Sequence, residues 1–243
     1  MQSWGLTDPG CVRPQNQDTF QMEALDRHTM LCVVCDGMGG AKSGNIASTL
    51  ALDVFVQEMK RNYHSGLDMG AVDQVLERAV KLSNFTVFDQ ARQIPEFSGM
   101  GTTLVAALIK GRHATVVNVG DSRCYRISAE GIAQVTTDHS LVQLMLDRGE
   151  LTAEQARSFP GKNYITRAIG TETMVQCDVH HLDLERGDCL LLCSAGLTNM
   201  LEVQEILFEI VHGVSKKHCC KRLLDIAKSR GAPDNVTSIL VQV

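Results

Sequence analysis

The sequence lacks the features that mark membrane, secreted and nucleic-acid-binding proteins. It contains no apolar run of the roughly 18 residues needed to cross a bilayer. Its opening segment, MQSWGLTDPG, has neither the charged start nor the apolar stretch of a signal peptide. Lys and Arg number only 23 against 28 Asp and Glu, and they are scattered, so no basic surface for nucleic-acid phosphates is predicted. We therefore expect a cytoplasmic protein that binds neither membranes nor nucleic acids.

Proline and repeated segments are also scarce. The chain has only five prolines, no internal repeat and no low-complexity tract, so nothing in it resembles a linker between domains. Its 243 residues, 44% of them hydrophobic, can bury a complete core. We therefore predict a single domain covering residues 1–243.

Nine cysteines are present, but their spacing does not favour disulfides or zinc. Cys32 and Cys35 form a CVVC segment inside an apolar run, and residues three apart on a strand point to opposite faces. Cys189 and Cys193 lie in a second apolar run. We interpret these cysteines as reduced core residues rather than metal ligands.

Short apolar runs and helical periodicities alternate along the chain. Runs rich in β-branched residues predict strands at 30–35, 103–109, 114–120, 122–127, 132–137, 188–193 and 235–242. Apolar residues at helical spacing predict helices around 47–54, 72–82, 200–211 and 218–229. The four runs between 103 and 137 have the turn-length gaps of an antiparallel meander. This pattern predicts an α+β fold of two sheets with helices outside.

Acidic residues recur where the predicted strands end. Asp18, Asp36, Asp121 and Asp234 each lie in a tight turn beside an apolar run, and no basic partner is evident next to them in the sequence. Any one of them alone is typical of an ordinary turn. Together, carboxylates at the edge of a core require hydrogen bonds, ion pairs or a metal, and oxygen ligands suit Mg²⁺ or Mn²⁺. Arg13 lies just before Asp18, and a guanidinium is a suitable partner for a phosphate dianion, although alone it indicates only a surface arginine.

Several motifs occur in the order and spacing of one known family. They are TDPGCVRPQNQDTF, CDGMGGAKSGNIAS, GMGTTLVAALI, VNVGDSRCYRI, TTDHSLVQLMLDRGELT, NYITRAIG, LLLCSAGLTNML and APDNVTSILVQV. With these motifs the chain resembles the bacterial members of the PPM (2C) family of metal-dependent protein serine/threonine phosphatases. The resemblance runs from about residue 6 to the C-terminal residue. It implies a four-layer αββα sandwich with a flap subdomain at about 141–163.

The resemblance also implies a metal site. Asp36 matches the acid that bridges two core ions, with the carbonyl of Gly37 as a further ligand. Asp234 matches a ligand of the first ion, and Asp18 lies near the second ion and reaches it through water. Asp121, in GDSR, matches an acid associated with a third, weaker ion. The implied ions are Mn²⁺ or Mg²⁺.

Catalytic roles and partners follow from the same resemblance. Arg13 matches the phosphate-binding arginine, and the nucleophile is a water activated by the two core ions. The implied substrates are phosphorylated proteins, and the implied opposing partner is a serine/threonine kinase. Members of the family are usually monomers.

One position departs from the family pattern at a metal ligand. Where the family has SDG, this chain has Ser194-Ala195-Gly196, so Ala195 occupies the position of an acid that binds the first ion. We therefore expect reduced activity. Two alternatives stay open: a pseudophosphatase that binds phosphoproteins without turnover, and a hydrolase of small phosphoesters.

Further departures concern neighbouring positions. Gln17 and Asn45 stand where many members have Glu. Ala41 replaces a histidine proposed in some members to protonate the leaving group, which leaves the general acid unassigned. Phe159, in the flap, replaces a common histidine, so substrate preference is expected to differ.

Overall fold

The computed structural model describes residues 1–39, 43–157, 159–161 and 164–243. Its strands are β1 (Gln2–Asp8), β2 (Asp18–Ala24), β3 (Thr29–Met38), β4 (Gly101–Thr102), β5 (Leu104–Lys110), β6 (His113–Val119), β7 (Arg123–Ser128), β8 (Gly131–Gln134), β9 (Asp178–Asp183), β10 (Cys189–Cys193) and β11 (Val236–Gln242). Its α-helices are α1 (Gly44–Asn62), α2 (Met69–Gln93), α3 (Leu141–Asp147), α4 (Ala153–Arg157), α5 (Ala195–Thr198), α6 (Val203–His212) and α7 (Lys216–Ser229), and a 3₁₀ turn covers Pro95–Phe97.

The strands form two antiparallel sheets. The first sheet has the order β1-β11-β10-β7-β8. The second has the order β2-β3-β5-β6-β9, with the two-residue β4 paired to the end of β3. Helices α1 and α2 pack on the outer face of the second sheet, and α6 and α7 pack on the outer face of the first. The predicted sandwich of two antiparallel sheets between helices is therefore confirmed.

The alternation of side chains along β3 shows how the layers are built. Leu31, Val33 and Cys35 face the helices, whereas Cys32 and Val34 face the other sheet. Both sets are fully buried. Because the strand is covered on both faces, its residues are apolar at consecutive positions instead of alternating with polar ones. The two sulfurs of the CVVC segment point to opposite faces, as predicted, and all nine cysteines are free.

The predicted meander is wrong in one respect. β5 and β6 form a hairpin in the second sheet, but β7 and β8 form a hairpin in the first. The chain changes sheets at Gly120, Asp121 and Ser122. Gly120 has a φ of +108°, which only glycine adopts readily, and a Cβ there would lie 2.6 Å from the side chain of Thr103. This crossing brings Asp121 to the edge where the two sheets meet.

Four strands were not predicted. β4 has only two residues, and β1, β2 and β9 have mostly half-buried residues and mixed polarity, so none of them gives an apolar run. Among the described helices, none is both long and apolar enough to cross a membrane. The expected single domain and flap stay predictions. Within the flap range, α3 and α4 are described and residues 158, 162 and 163 fall outside the described residues.

Candidate active site

One cleft collects nearly all the residues that the sequence analysis selected. Its volume is about 260 Å³. Its lining comprises Arg13, Gln17, Asp36, Gly37, Met38, Gly39, Thr103, Asp121, Ile165, Ala195, Asn199 and Asp234. Asp18 lies behind this lining, directly opposite Asp36 in the β2–β3 ladder. The fold thus brings together side chains that are more than 200 residues apart in the sequence.

Both sheets contribute to the cleft. Asp18 begins β2 and Asp36 lies near the end of β3, so both belong to the second sheet. Asp121 lies in the crossing between the sheets. Ala195 follows β10 and Asp234 precedes β11, which are neighbouring strands of the first sheet. Because these strand ends meet at one edge, short turns are enough to bring their polar groups together.

Asp18 is held by hydroxyl groups on one side only. Its Oδ2 accepts hydrogen bonds from Ser194 Oγ at 2.7 Å and from Thr237 Oγ1 at 2.6 Å. Its Oδ1 is buried and has no hydrogen-bond partner among the described residues. Burial raises the pKa of Asp18 from 3.8 to about 6, although hydrogen bonds from Thr237 and Ser194 and a contact with the carboxyl group of Asp36 partly offset this effect. An unpaired buried carboxylate oxygen is costly, so Oδ1 marks a place for a donor or a cation.

Asp36 and Asp121 are also unfavourable as anions in this cleft. Burial, followed by the charges of Asp18, Asp121 and Asp234, raises the pKa of Asp36 well above its usual range. Burial, followed by the charge of Asp138, raises the pKa of Asp121 to about 6. Both side chains are partly exposed to the cleft, and the negative charge of Asp121 opposes ionisation of Asp36. A cation in the cleft would remove that repulsion.

Asp234 differs because it has a basic partner. Arg13 Nε donates to Asp234 Oδ1 at 2.9 Å, and Arg13 Nη2 donates to Oδ2 at 3.1 Å. The sequence analysis found no basic partner for the acids, and the structure corrects this for Asp234. The Arg13 side chain is 51% exposed and that of Asp234 is 43% exposed. The guanidinium therefore lies at the mouth of the cleft, where a phosphate group can reach it.

The loop that carries Arg13 is held by Asn235, a residue whose function the sequence analysis did not recognise. Asn235 Oδ1 accepts from the amide of Gln17 at 2.8 Å. Its Nδ2 donates to the carbonyl oxygens of Pro9 at 2.9 Å and Gln15 at 3.0 Å. Asn235 is 3% exposed. The position of this polar residue between Asp234 and the buried strand β11 was the only signal in the sequence that could have indicated this role.

The site lacks a carboxylate at the end of β10. Ala195 lines the cleft with a methyl group and begins α5. The next residue must be glycine, because a Cβ at Gly196 would lie 1.8 Å from the carbonyl oxygen of Asn235. The backbone of this turn is therefore tightly packed against the residue after Asp234, and a longer side chain at 195 is what would extend into the cleft.

The donor set fits a hard divalent cation. Neighbouring carboxylates with raised pKa values and the buried Oδ1 of Asp18 are both stabilised by a positive ion. In the described parts of the chain, no three His, Cys, Asp or Glu side chains converge closely enough to enclose an ion unaided. Backbone carbonyls and waters would therefore complete the coordination, as is usual for Mg²⁺ and Mn²⁺.

The neighbouring departures lie in different places. Gln17 lines the cleft and its side chain packs against Gly44. Asn45 is exposed on α1. Phe159 packs against Gly161 within the flap range. Ala41 falls outside the described residues.

Comparisons with known proteins agree with one another. Residues 14–226 match the family model described as Protein phosphatase 2C. The serine/threonine phosphatase stp of Listeria innocua is 34% identical over 243 residues, covering 97% of this chain and 93% of that protein. The solved structure of the S. agalactiae serine/threonine phosphatase covers 100% of this chain and 99% of its own, with a TM-score of 0.93 and 32% identity. The catalytic domain of the serine threonine protein phosphatase PstP, solved in complex with 2 manganese ions, has a TM-score of 0.84 and 29% identity and covers 99% of this chain and 97% of its own.

Proposed function

This chain belongs to the protein phosphatase 2C family of serine/threonine phosphatases, and on that premise we propose that it hydrolyses phosphoserine and phosphothreonine with divalent cations in the cleft. The observation that carries this proposal is the group of three carboxyl groups with raised pKa values at the cleft, the buried Asp18 and the partly buried Asp36 and Asp121. Such a group is costly to a folded protein unless a cation compensates it. Manganese in the related PstP structure supports Mn²⁺ as the first ion to test, with Mg²⁺ as the second.

Each acidic position has an assigned role in this proposal. Asp36 and the carbonyl of Gly37 would hold the two core ions, and Asp234 would hold the first of them. Asp18 would offer its Oδ1 to a water at the second ion. Asp121 would hold a third, weaker ion. When bound, such ions neutralise phosphate charge and lower the pKa of water, which supplies the nucleophile.

Arg13 orients the substrate. Its guanidinium lies at the mouth of the cleft and already binds two carboxylate oxygens of Asp234 in a fork. A phosphate dianion presents the same oxygen spacing with more charge, so it competes well for these donors. If Asp234 bound a cation, the guanidinium of Arg13 would be free to bind phosphate. Cation binding and phosphate binding would then be linked.

The absence of a carboxylate at Ala195 lowers activity in this proposal. The first ion would then have one ligand fewer, and most of the negative charge around the ions would come from the acids of the second sheet. Loss of several kcal/mol of electrostatic stabilisation corresponds to a rate deficit on the order of 10² to 10⁴.

The test compares the chain with Ala195→Asp and with Ala195→Asn, which has the same shape but no charge. Ala195→Asp should raise the rate of Mn²⁺-dependent hydrolysis of phosphoserine and phosphothreonine peptides by about 10² to 10⁴. Ala195→Asn should leave the rate near that of the unmodified chain, because the charge and not the volume is missing. Phosphate release with and without EDTA measures each rate.

A phosphoprotein-binding module is the second candidate, and Ala195 is the observation that favours it. If Ala195→Asp gains Mn²⁺ affinity but hydrolyses neither phosphopeptides nor small phosphoesters, the phosphatase proposal is wrong and the binding module is correct. Hydrolysis of small phosphoesters but not of phosphopeptides would instead identify the chain as a hydrolase of small phosphoesters. The opposing serine/threonine kinase, the monomeric state and the cytoplasmic location stay predictions from the sequence.

A further inference from the structure

The ladder between β3 and its neighbours is irregular at Asp36. β3 pairs with β5 up to Val34 and with β4 from Gly37. Between these stretches the amide of Asp36 donates to the Thr103 hydroxyl oxygen, at 3.0 Å, instead of to a backbone carbonyl. The amide of Thr103 still donates to the carbonyl of Asp36 at 2.9 Å. A side chain thus replaces one rung of the ladder at the residue that would bridge the core ions.

The same hydroxyl group reaches the turn that carries Asp121. Thr103 Oγ1 and Ser122 Oγ are 2.8 Å apart, and both residues are buried, at 3% and 0% exposure. Because Thr103 Oγ1 accepts the Asp36 amide proton, it can donate its own proton to Ser122. The Thr103 methyl group packs where a Cβ of Gly120 would lie. Thr103 therefore contacts both acidic turns from a single side chain.

From these contacts we infer that Thr103 and Ser122 are positioning residues that set the separation of Asp36 and Asp121 in the metal site. The inference depends on the proposed function, because it assigns a role toward the ions of that site. Asp36 and Asp121 repel each other and come from different strand ends, so their spacing needs a direct link. The hydroxyl pair is that link, since one of its groups binds the backbone of Asp36 and the other belongs to the residue after Asp121.

The neighbouring Thr102 shows what a hydroxyl without this role does. Its Oγ1 donates to the carbonyls of Asp36, at 2.9 Å, and of Thr103, at 3.0 Å, and so satisfies only backbone groups. Ser83 is a more distant comparison. It is fully buried between α1 and α2, where its hydroxyl donates to the carbonyls of Ala51 and Ala79. Ser83→Ala therefore removes a buried hydroxyl without touching the cleft.

The experiment measures Mn²⁺ affinity by titration calorimetry, with the melting temperature of every variant as a check on folding. Thr103→Val has nearly the same shape but no hydroxyl, and it should weaken Mn²⁺ binding about 10- to 100-fold, as loss of outer-shell partners does. Thr103→Ser keeps the hydroxyl and should stay within about threefold of the unmodified chain. Ser122→Ala should weaken binding about tenfold. Ser83→Ala should lower the melting temperature and leave the affinity unchanged.

The double variant Thr103→Val with Ser122→Ala tests the link itself. If the hydroxyl groups act as a pair, the double variant should bind Mn²⁺ about as weakly as Thr103→Val alone. Additive losses would overturn the pairing, and equal losses in Thr103→Val and Thr103→Ser would overturn the role of the hydroxyl. If Thr103→Val does not fold, Ser122→Ala decides: unchanged affinity in that variant overturns the inference.

A further arm separates this inference from the proposed function. Asp36→Asn should lose Mn²⁺ binding. Absence of Mn²⁺ binding by the unmodified chain would contradict the proposed function and, with it, the inference. Binding that disappears in Asp36→Asn but persists unchanged in Thr103→Val would contradict the inference alone.

Discussion

The ends of β3 and β10 lie in the same cleft and contribute to it differently. Each follows a fully buried apolar run. β3 carries Asp36, which lies opposite Asp18 and beside Asp121. β10 is followed by Ser194 and Ala195, of which Ser194 donates to Asp18 and Ala195 contributes only a methyl group. The end of β10 thus supports a carboxylate of the opposite sheet by hydrogen bonding, but it adds no charge.

This difference makes the cleft electrostatically one-sided. The second sheet and the crossing supply Asp18, Asp36 and Asp121, whose pKa values are all raised. The first sheet supplies Asp234, whose charge is paired with Arg13. A cation placed in the cleft is therefore drawn mainly toward the second sheet. The hydrogen bond from Ser194 to Asp18 is therefore present at the end of β10, whereas Ala195 next to it adds no negative charge to the cleft.

The largest effect should come from removing charge at the end of β3. Asp36→Asn should abolish Mn²⁺ binding and lower hydrolysis by at least about 10³, because the proposed bridging ligand disappears. In EDTA the same variant should melt a few degrees higher than the unmodified chain, because a carboxylate repelled by Asp18, Asp121 and Asp234 is gone. Ala195→Asp should melt lower than the unmodified chain in EDTA, because it adds a carboxylate to the cleft. Thermal unfolding of the two variants checks both directions, and a lower melting temperature for Asp36→Asn would contradict the claim of repulsion.

A smaller effect should appear as a dependence of stability on pH. The folded-state pKa of Asp18 is about 6, above the ordinary 3.8, so the folded protein binds this proton more tightly than the unfolded chain does. The free energy of unfolding in EDTA should therefore fall as the pH rises from about 4 to about 7, and level off above that range. The expected loss is a few kcal/mol, shared among the coupled acids.

Asp18→Asn serves as the control for that measurement, because other acids with lowered pKa values, such as Asp8, change stability in the opposite sense. The free energy of unfolding of the unmodified chain minus that of the variant isolates the contribution of Asp18. Urea unfolding should give a difference that is lower at pH 7 than at pH 5, because ionisation of Asp18 destabilises only the unmodified chain. A difference that does not change with pH would show that Asp18 is not a repelled buried acid.

The smallest effect should come from the exposed side of the cleft. In the Ala195→Asp background, Arg13→Ala should raise the KM for a phosphopeptide about tenfold, and Arg13→Lys should recover only part of this because it lacks the guanidinium fork. Arg230, which pairs with Glu205 away from the cleft, is the matched control. Arg230→Ala should leave KM unchanged. An unchanged KM for Arg13→Ala would remove Arg13 from the site.

Sequence reasoning predicted the strands that are buried on both faces and the helices that cover them. β3, β10 and β11 form apolar runs because each of their faces packs against another layer. β9 gave no such signal, because it is an edge strand with half-exposed His and Asp residues. The change of sheet at Gly120 was missed for another reason: a turn-length gap looks the same whether the next strand pairs with its neighbour or crosses over.

The acids of the site were predictable because they lie beside apolar runs, within motifs that resemble those of a known family, but the groups that hold them were not. Thr103 bonds to Asp36, 67 residues away, and Ser194 bonds to Asp18, 176 residues away. Hydroxyl residues at strand ends are common, and only the folded chain shows which carboxylate each one contacts. The pairing of Arg13 with Asp234 was missed for the same reason, since 221 residues separate them.

The most direct test of the account is a calorimetric titration of the unmodified chain with Mn²⁺, beside Asp36→Asn as a control. We expect the unmodified chain to bind Mn²⁺ below millimolar concentration despite Ala195, because Asp18, Asp36 and Asp121 supply the charge, and we expect Asp36→Asn not to bind. Absence of binding by the unmodified chain at millimolar Mn²⁺, or equal binding by both proteins, would contradict it.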